Sequence, residues 1–362
     1  MQFGLSESQQ ILKNNARKFF SAECPIGEVR RISETATAHD EKLWRNMAEQ
    51  GFLGVVIPED AGGMGLGMVE LAALAEEMGR SLLPGAFLST LLASAAIQGA
   101  GSTKHLAEIA DGSAMATLAL LEAEASWNPD AVRMPALKGE KTFVTDAGIA
   151  DFLVVAARDG GEMALYLVEG KSVAITPMPA MDLTRRLYKV AFHDAPGELI
   201  ARGDAAKRAL EHALDVATVA ICAEMTGVMQ RTLDMAVEYA KTRKQFGKPI
   251  GQYQAVQHQC ADMLLWTESS RSATYYAAWA YENRVPDARA AVSVAKAYVS
   301  DAGREVGNRG IQVQGGMGFT WENDVHLYYR RAKASEIAFG DATFHRDRIA
   351  RLVIDEMGAS AA

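Results

Sequence analysis

The stretch that most limits what this chain folds into runs from residue 204 to 243, where no proline occurs and apolar residues recur at helical spacing. A helix of that length needs other helices to cover its apolar side. Two more stretches follow in the same style, from Ala255 to about Glu282 and from Ala288 to Val313. The spacing predicts three long antiparallel helices packed as a bundle. Residues 6–110 are also helical in pattern, with Leu12, Ala16, Phe19 and Phe20 on one stripe and Val69, Leu71, Ala72, Leu74 and Ala75 on another. Between those stripes lies GFLGVVIPEDAGGMGLG, a glycine-rich loop that either approaches another segment closely or takes positive φ.

Between about Met115 and Ile200 the apolar period shortens to two. DFLVVAAR and MALYLVEG read as strands joined by Asp159, Gly160 and Gly161, a hairpin signal, and SVAITPMP and YKVAFHDAP continue the pattern. The expected class is an α+β multidomain protein. A helical domain spans residues 1–114, a middle antiparallel β domain 115–200 and a helical-bundle domain 201–362. No internal repeat or low-complexity tract occurs.

Composition narrows the function classes. With 362 residues and 49% hydrophobic content the chain can bury a large core. The net charge of −8, with no long Lys/Arg run, argues against duplex nucleic acid as a partner. Cys24, Cys222 and Cys260 show no CxxC spacing and no His neighbours at metal-ligand spacing. The start MQFGLSESQQILKNNARKFF lacks the apolar core of a signal peptide, and no uninterrupted apolar stretch reaches the roughly 18 residues of a membrane span. A cytoplasmic protein with reduced thiols, no metal and no membrane partner is expected. The sixteen methionines read as core filler.

Motifs add what composition cannot. KTRKQFGKPIGQYQAVQHQCADM (residues 241–263) joins two predicted helices through a Gly/Pro turn. Its ordered Arg243, Phe246, Gly247, Ile250, Gln254 and Ala261-Asp262-Met263 resemble the acyl-CoA dehydrogenase family, and so do IQVQGGMGFT from Ile311, LKGEKTFVTDAGIADF from Leu137 and GFLGVVIPEDAGGMG from Gly51. The resemblance implies N-terminal helices, a middle β domain and a C-terminal four-helix bundle, usually tetrameric with FAD at subunit interfaces. It implies an acyl-CoA substrate and an electron-transfer flavoprotein as acceptor. Arg243, Phe246 and Gln254 of one subunit, with Gln312, Gly315 and Gly316 of a neighbour, would hold the adenine-diphosphate end of FAD. Thr145 corresponds to the hydroxyl beside the flavin N5, and Phe143 replaces the usual Trp on the far face. Where relatives carry a Thr-Glu-Pro-Gly-Ala-Gly-Ser-like loop, this chain reads Leu121-Glu122-Ala123-Glu124-Ala125-Ser126-Trp127.

The family reaction removes the α-proton of an acyl-CoA thioester while a β-hydride passes to the flavin. It requires a carboxylate to take the proton and hydrogen bonds to the enolate-like oxygen. Relatives draw the carboxylate from a Tyr-Glu-Gly-Thr stretch. Laid on it without gaps, AFGDATFHRDRIAR puts Ala338 at the Tyr, Phe339 at the Glu, Gly340 at the Gly and Asp341 at the Thr. Phe339 cannot accept a proton, although its main-chain N–H can still donate. The position some relatives use, on the helix before the Arg243 turn, is by spacing Ala217, so that route is absent too.

Two carboxylates are candidates for the base. Asp341 shares the loop, its alternative role being a helix N-cap. Glu224 continues an apolar series through Leu210, Leu214, Ala217, Ile221 and Val228, its alternative being a buried ion pair with an Arg. A carboxylate of a homologous partner subunit is the third possibility. His345 and Arg346 read as a solvated helix face with some reach toward a phosphate, and Arg330 and Arg331 share that ambiguity. Trp321 and Glu322 would line the acyl pocket. The chain resembles the small subunits of hetero-oligomeric dehydrogenases acting on bulky acyl-CoA such as steroid side chains. A homo-oligomer, a non-catalytic partner subunit and a flavin oxidase on the same fold are the alternatives.

Overall fold

The computed structural model describes residues 4–355, so the expected domain ends at residues 1–3 and 356–362 lie outside the described residues. Helices α1 (Glu7–Glu23), α2 (Ile26–Ser33), α3 (Glu41–Glu49), α4 (Met68–Arg80), α5 (Phe87–Gly99) and α6 (Leu106–Ala110) open the chain. Strands β1 (Ala116–Ala119), β2 (Lys138–Thr145), β3 (Phe152–Asp159), β4 (Glu162–Glu169), β5 (Ala174–Met178), β6 (Leu187–His193) and β7 (Glu198–Arg202) follow. Then come α7 (Asp204–Thr242), the short ribbon β8 (Lys244–Gln245) and β9 (Lys248–Pro249), α8 (Gln254–Glu282), α9 (Ala288–Gln314), α10 (Val325–Ile337) and α11 (Ala342–Ala350). The helical, β, helical order matches the sequence expectation. The limits of the three long helices fall within about a residue of those read from periodicity.

Spatially the chain forms two compact units that do not follow the linear domains. One takes Glu28–Gly67 and Pro84–Ala217; the other takes the residues up to Gly27, Met68–Leu83 and those from Thr218 onward.

The first unit is built on two sheets, β1-β3-β4-β7 and β2-β6-β5. Alternate residues Leu153, Val155, Ala157, Ala164, Tyr166, Val168, Tyr188, Val190 and Phe192 form their shared core, which is the period of two seen in the sequence. β3 is buried on its other side as well, where α5 covers β1 and β3, and α5 is accordingly apolar and buried around its circumference. The middle domain is not wholly antiparallel: β1 pairs in parallel with β3, because the chain passes through the other sheet as β2 between them. Gly160 and Gly161 both take positive φ in the β3–β4 turn, as the two-residue hairpin demands. In the 51–67 loop both readings of the glycines hold. Gly62 has φ 86°, and a Cβ on Gly63 would meet the Ile57 carbonyl oxygen at 2.1 Å.

In the second unit α1 lies on α4, α4 on α8, and α9 is flanked by α8, α10 and α11. Residues 218–229 of α7 are buried on every side. The four-and-three series through Glu224 therefore marks no particular face. By length and composition α7 passes as a membrane span, but it is mostly buried inside the protein. α4 crosses α7 closely at two reciprocal glycines. A Cβ on Gly79 would stand 1.9 Å from the Glu224 carbonyl oxygen, and one on Gly227 would stand 1.9 Å from that of Glu76.

Candidate active site

Between α10 and α11 the chain makes a turn in which Phe339 is left-handed at φ 59° and Gly340 has φ 101°. The Phe339 side chain is 7% exposed. An aromatic residue holds such a backbone only where its surroundings fix it. From α9, the fully buried Lys296 Nζ shares its three N–H donors among Ser300 Oγ at 2.9 Å and the carbonyl oxygens of Ser335 at 3.1 Å, Glu336 at 2.9 Å and Gly340 at 2.9 Å. His345 Nε2 lies 3.0 Å from the Phe339 carbonyl oxygen, which assigns the proton to Nε2, and Nδ1 has no hydrogen-bond partner among the described residues. Burial pushes His345 down to about 3, with the Lys296 charge adding to it, so the ring is neutral.

The structure gives both candidate carboxylates other partners. Asp341 caps α11, its Oδ1 accepting from the Phe344 N–H at 2.8 Å, and the residue is exposed. Glu224 Oε1 accepts from Arg331 Nη1 at 2.9 Å, and Arg331 Nη2 donates to the Leu83 carbonyl at 2.9 Å. Arg331 is fully buried and Glu224 nearly so. Of the basic residues expected at a solvated face, Arg331 and His345 are buried instead, while Arg346 is exposed and pairs with Asp301. Trp321 is half-exposed, stacks on His326 at 4.8 Å and lies under the Arg330 guanidinium at 5.5 Å.

The segments expected to meet FAD are outward-facing. Phe246 (φ 51°) and Gly247 (φ 81°) form the two-residue tip of the β8–β9 ribbon, with the Phe246 ring 95% exposed. Arg243, just before the ribbon, and Gln254, the first residue of α8, are exposed, as is Gln312 at the end of α9. Because α8 and α9 run antiparallel, with Arg309 over the Trp266 ring at 4.2 Å, Gln254 and Gln312 lie toward the same end of that hairpin. Nothing stands within 4 Å of where a Cβ on Gly247, Gly315 or Gly316 would be, so these glycines serve no packing inside the chain. The Gly315 N–H closes α9 by donating to the Gln312 carbonyl, so what these positions offer is a main chain with no Cβ in the way of a close approach by a pyrophosphate.

In the β unit, the register of β2 against β6 shifts between Lys141 and Val144, and Phe143 takes φ 52°. The bulge turns Phe143 outward, 40% exposed, beside the half-buried Thr145, while Val144 points into the core. An exposed aromatic ring next to a hydroxyl is a surface that fits a flavin ring. The divergent loop is held by Glu122, whose carboxylate accepts from the Met134 N–H at 2.9 Å and from Lys141 Nζ at 2.7 Å. Lys141 is itself buried and also donates to the Leu120 carbonyl at 3.0 Å. Burial pulls Lys141 down to about 8 against the pull of Glu122. Burial raises Glu122, but Lys141 and the main-chain donors outweigh it and hold its carboxyl below the ordinary value. Glu122→Ala leaves that ammonium buried without its anion and is expected to cost about 3 kcal/mol, read as a shift of the urea midpoint.

Sequence reasoning missed Lys296 and the Glu122–Lys141 pair. The signal was a lysine inside an otherwise apolar and small-residue helix, AVSVAKAYVS, which reads as a snorkelling side chain until its burial is seen.

Two family descriptions match the chain: acyl-CoA dehydrogenase N-terminal domain over residues 6–112 and acyl-CoA dehydrogenase C-terminal domain over residues 207–354. Acyl-CoA dehydrogenase IpdE2 of Mycolicibacterium smegmatis is 31% identical over 349 residues, covering 96% of this chain and 98% of the relative. Among solved structures, the Tcur3481-Tcur3483 steroid ACAD superposes with a TM-score of 0.87 at 30% identity over 97% of this chain and 99% of that one. The ChsE4-ChsE5 complex from Mycobacterium tuberculosis superposes with the same TM-score at 27% identity over 97% and 98%. With both helical parts matched and the length of the relatives covered almost entirely, this chain belongs to the acyl-CoA dehydrogenase family, whose cofactor is FAD.

Proposed function

We propose that this chain is one subunit of a hetero-oligomeric FAD-dependent dehydrogenase that converts a bulky acyl-CoA thioester to the trans-2-enoyl-CoA. In this reading it supplies flavin-contacting segments and one main-chain donor, while the proton-accepting carboxylate belongs to a homologous partner subunit. Phe339 carries the argument: an apolar, buried side chain stands where the family's base stands, and Glu224 and Asp341 are committed to Arg331 and to the α11 cap. Bound FAD would take the hydride released from the β-carbon and pass electrons to an electron-transfer flavoprotein.

The chain's own residues do the rest. Arg243, Phe246 and Gln254 hold the adenine-diphosphate end of one FAD, Gln312, Gly315 and Gly316 serve that of the FAD shared with a neighbouring subunit, and Phe143 and Thr145 meet the flavin ring. The Phe339 N–H donates to the thioester oxygen, stabilising the charge that develops as the α-proton leaves. The proton passes to the partner's carboxylate. The relatives support the two finer points: one solved neighbour is a complex of two differently named chains and another is a steroid ACAD.

A second reading keeps the base here, at Asp341, which is exposed and uses only Oδ1 in the cap. The full chain is to be purified alone and with its native partner, and FAD per chain and turnover measured for each. The expected result is little FAD and no turnover alone, with both gained on assembly. A yellow, fully active homo-oligomer sinks the proposal. In that case Asp341→Asn and Glu224→Gln decide between the remaining carboxylates by the rate of exchange at the substrate α-carbon.

A further inference from the structure

We infer that Lys296 is the positioning residue of this site: from behind, its ammonium gathers the last carbonyls of α10 and that of Gly340, and thereby fixes where the Phe339 N–H points. The inference rests on the reading above, in which that N–H faces the thioester oxygen.

The geometry is that of a clamp. Ser335 and Glu336 present carbonyls of the last α10 turn, which have no partner inside the helix and carry the negative end of its dipole. The Gly340 carbonyl lies beyond the turn, yet the same nitrogen holds it. One atom on α9 thus pins both sides of a two-residue reversal. His345 pins the carbonyl between them, that of Phe339. None of these bonds uses the side chain at 339, so the backbone is set regardless of the residue it carries. Ser300, the remaining acceptor, is also on α9, one turn from Lys296, so the clamp is anchored in a long helix.

Four titratable groups face Lys296: Cys222 on α7, Glu336 on α10, Asp341 at the α11 cap and His345 on α11. None offers it a direct ion pair among the described residues; its partners are neutral oxygens. Burial lowers Lys296 from its ordinary 10.5 to about 8. The sign follows from that direction. Below the lowered value the charge is present in both folded and unfolded chains, and burying it opposes folding. As pH rises from about 8 towards 10.5 the folded chain sheds the proton first, and that opposition is relieved. Alkaline pH should therefore loosen the turn without Lys296 weakening the fold.

The test uses the full chain with Lys296→Met and Lys296→Gln, reading amide hydrogen exchange, corrected for intrinsic rate, in peptides covering residues 337–345. At neutral pH both variants should exchange there about tenfold faster or more, with α9 itself unchanged, the loss expected for one or more net hydrogen bonds. The wild type should loosen part of the way, reversibly, above about pH 8, since the neutral amine keeps two of its three N–H donors, and the variants should show no further step. In the active complex the variants should lose kcat with little change in KM. Unchanged exchange at 337–345, or loosening spread equally along α9, overturns the inference. Should the variants fail to fold, the wild-type pH series decides alone, and a turn that stays protected through the alkaline range overturns it. If the assembled wild type shows no dehydrogenation, the functional reading fails while the exchange result still reports on the clamp.

Discussion

Arg331→Met is expected to lower the stability of the chain by about 3–5 kcal/mol, seen as a large fall in the urea midpoint, because it leaves the Glu224 carboxylate buried without its cation. The guanidinium also donates to the Leu83 carbonyl, so one substitution takes a donor from two buried acceptors. The double variant Glu224→Gln/Arg331→Met should recover much of the loss, since removing both charges removes the unpaired one. Were the double variant as unstable as the single, packing of the arginine stem rather than charge would be the cause. The same pair bears on chemistry: a carboxylate held by a buried guanidinium is poorly placed to take a proton, and Glu224→Gln should leave α-proton exchange in the assembled enzyme unchanged.

Gly227→Ala should cost about 3 kcal/mol despite the better helix propensity of alanine. The new methyl would stand 1.9 Å from the Glu76 carbonyl oxygen and 2.7 Å from the Arg80 nitrogen, both main-chain atoms that move only if α4 and α7 separate. Gly316→Ala is the contrast. Nothing lies within 4 Å of its Cβ, so stability should be unchanged while FAD affinity of the assembled enzyme falls. Equal destabilisation by the two substitutions, in thermal or urea unfolding, would show that the α4–α7 crossing has room the structure does not display.

Much of the architecture was legible because it rests on periodicity. The shift from period 3.6 to 2 near Met115 and back near Asp204, and the Gly-Gly reversal at 160–161, each have one physical reading. The parallel pairing of β1 was not legible, since a short buried strand carries no mark of its neighbour's direction. At the site, the N-cap role of Asp341 and the ion-pair alternative for Glu224 were both foreseen from residue type and place. Sequence could not foretell the burial of Arg331 and His345. A helix at the end of a bundle can be wrapped on all sides by segments far away in the chain, and charge pattern alone reads such a helix as solvated. Lys296 stayed hidden for the same reason: apart from Ser300, its partners are main-chain oxygens of the turn and α10, some forty residues on, which leave no trace in composition.

Phe339 sits on a turn whose shape is set by residues other than itself. A site built that way can lose its reactive side chain through drift without refolding, so a duplicated subunit could shed the acid–base step in few substitutions and remain assembly-competent. The converse also holds. Phe339→Glu alters the side chain alone, and a lineage that had parted with the reaction would keep the backbone on which to regain it.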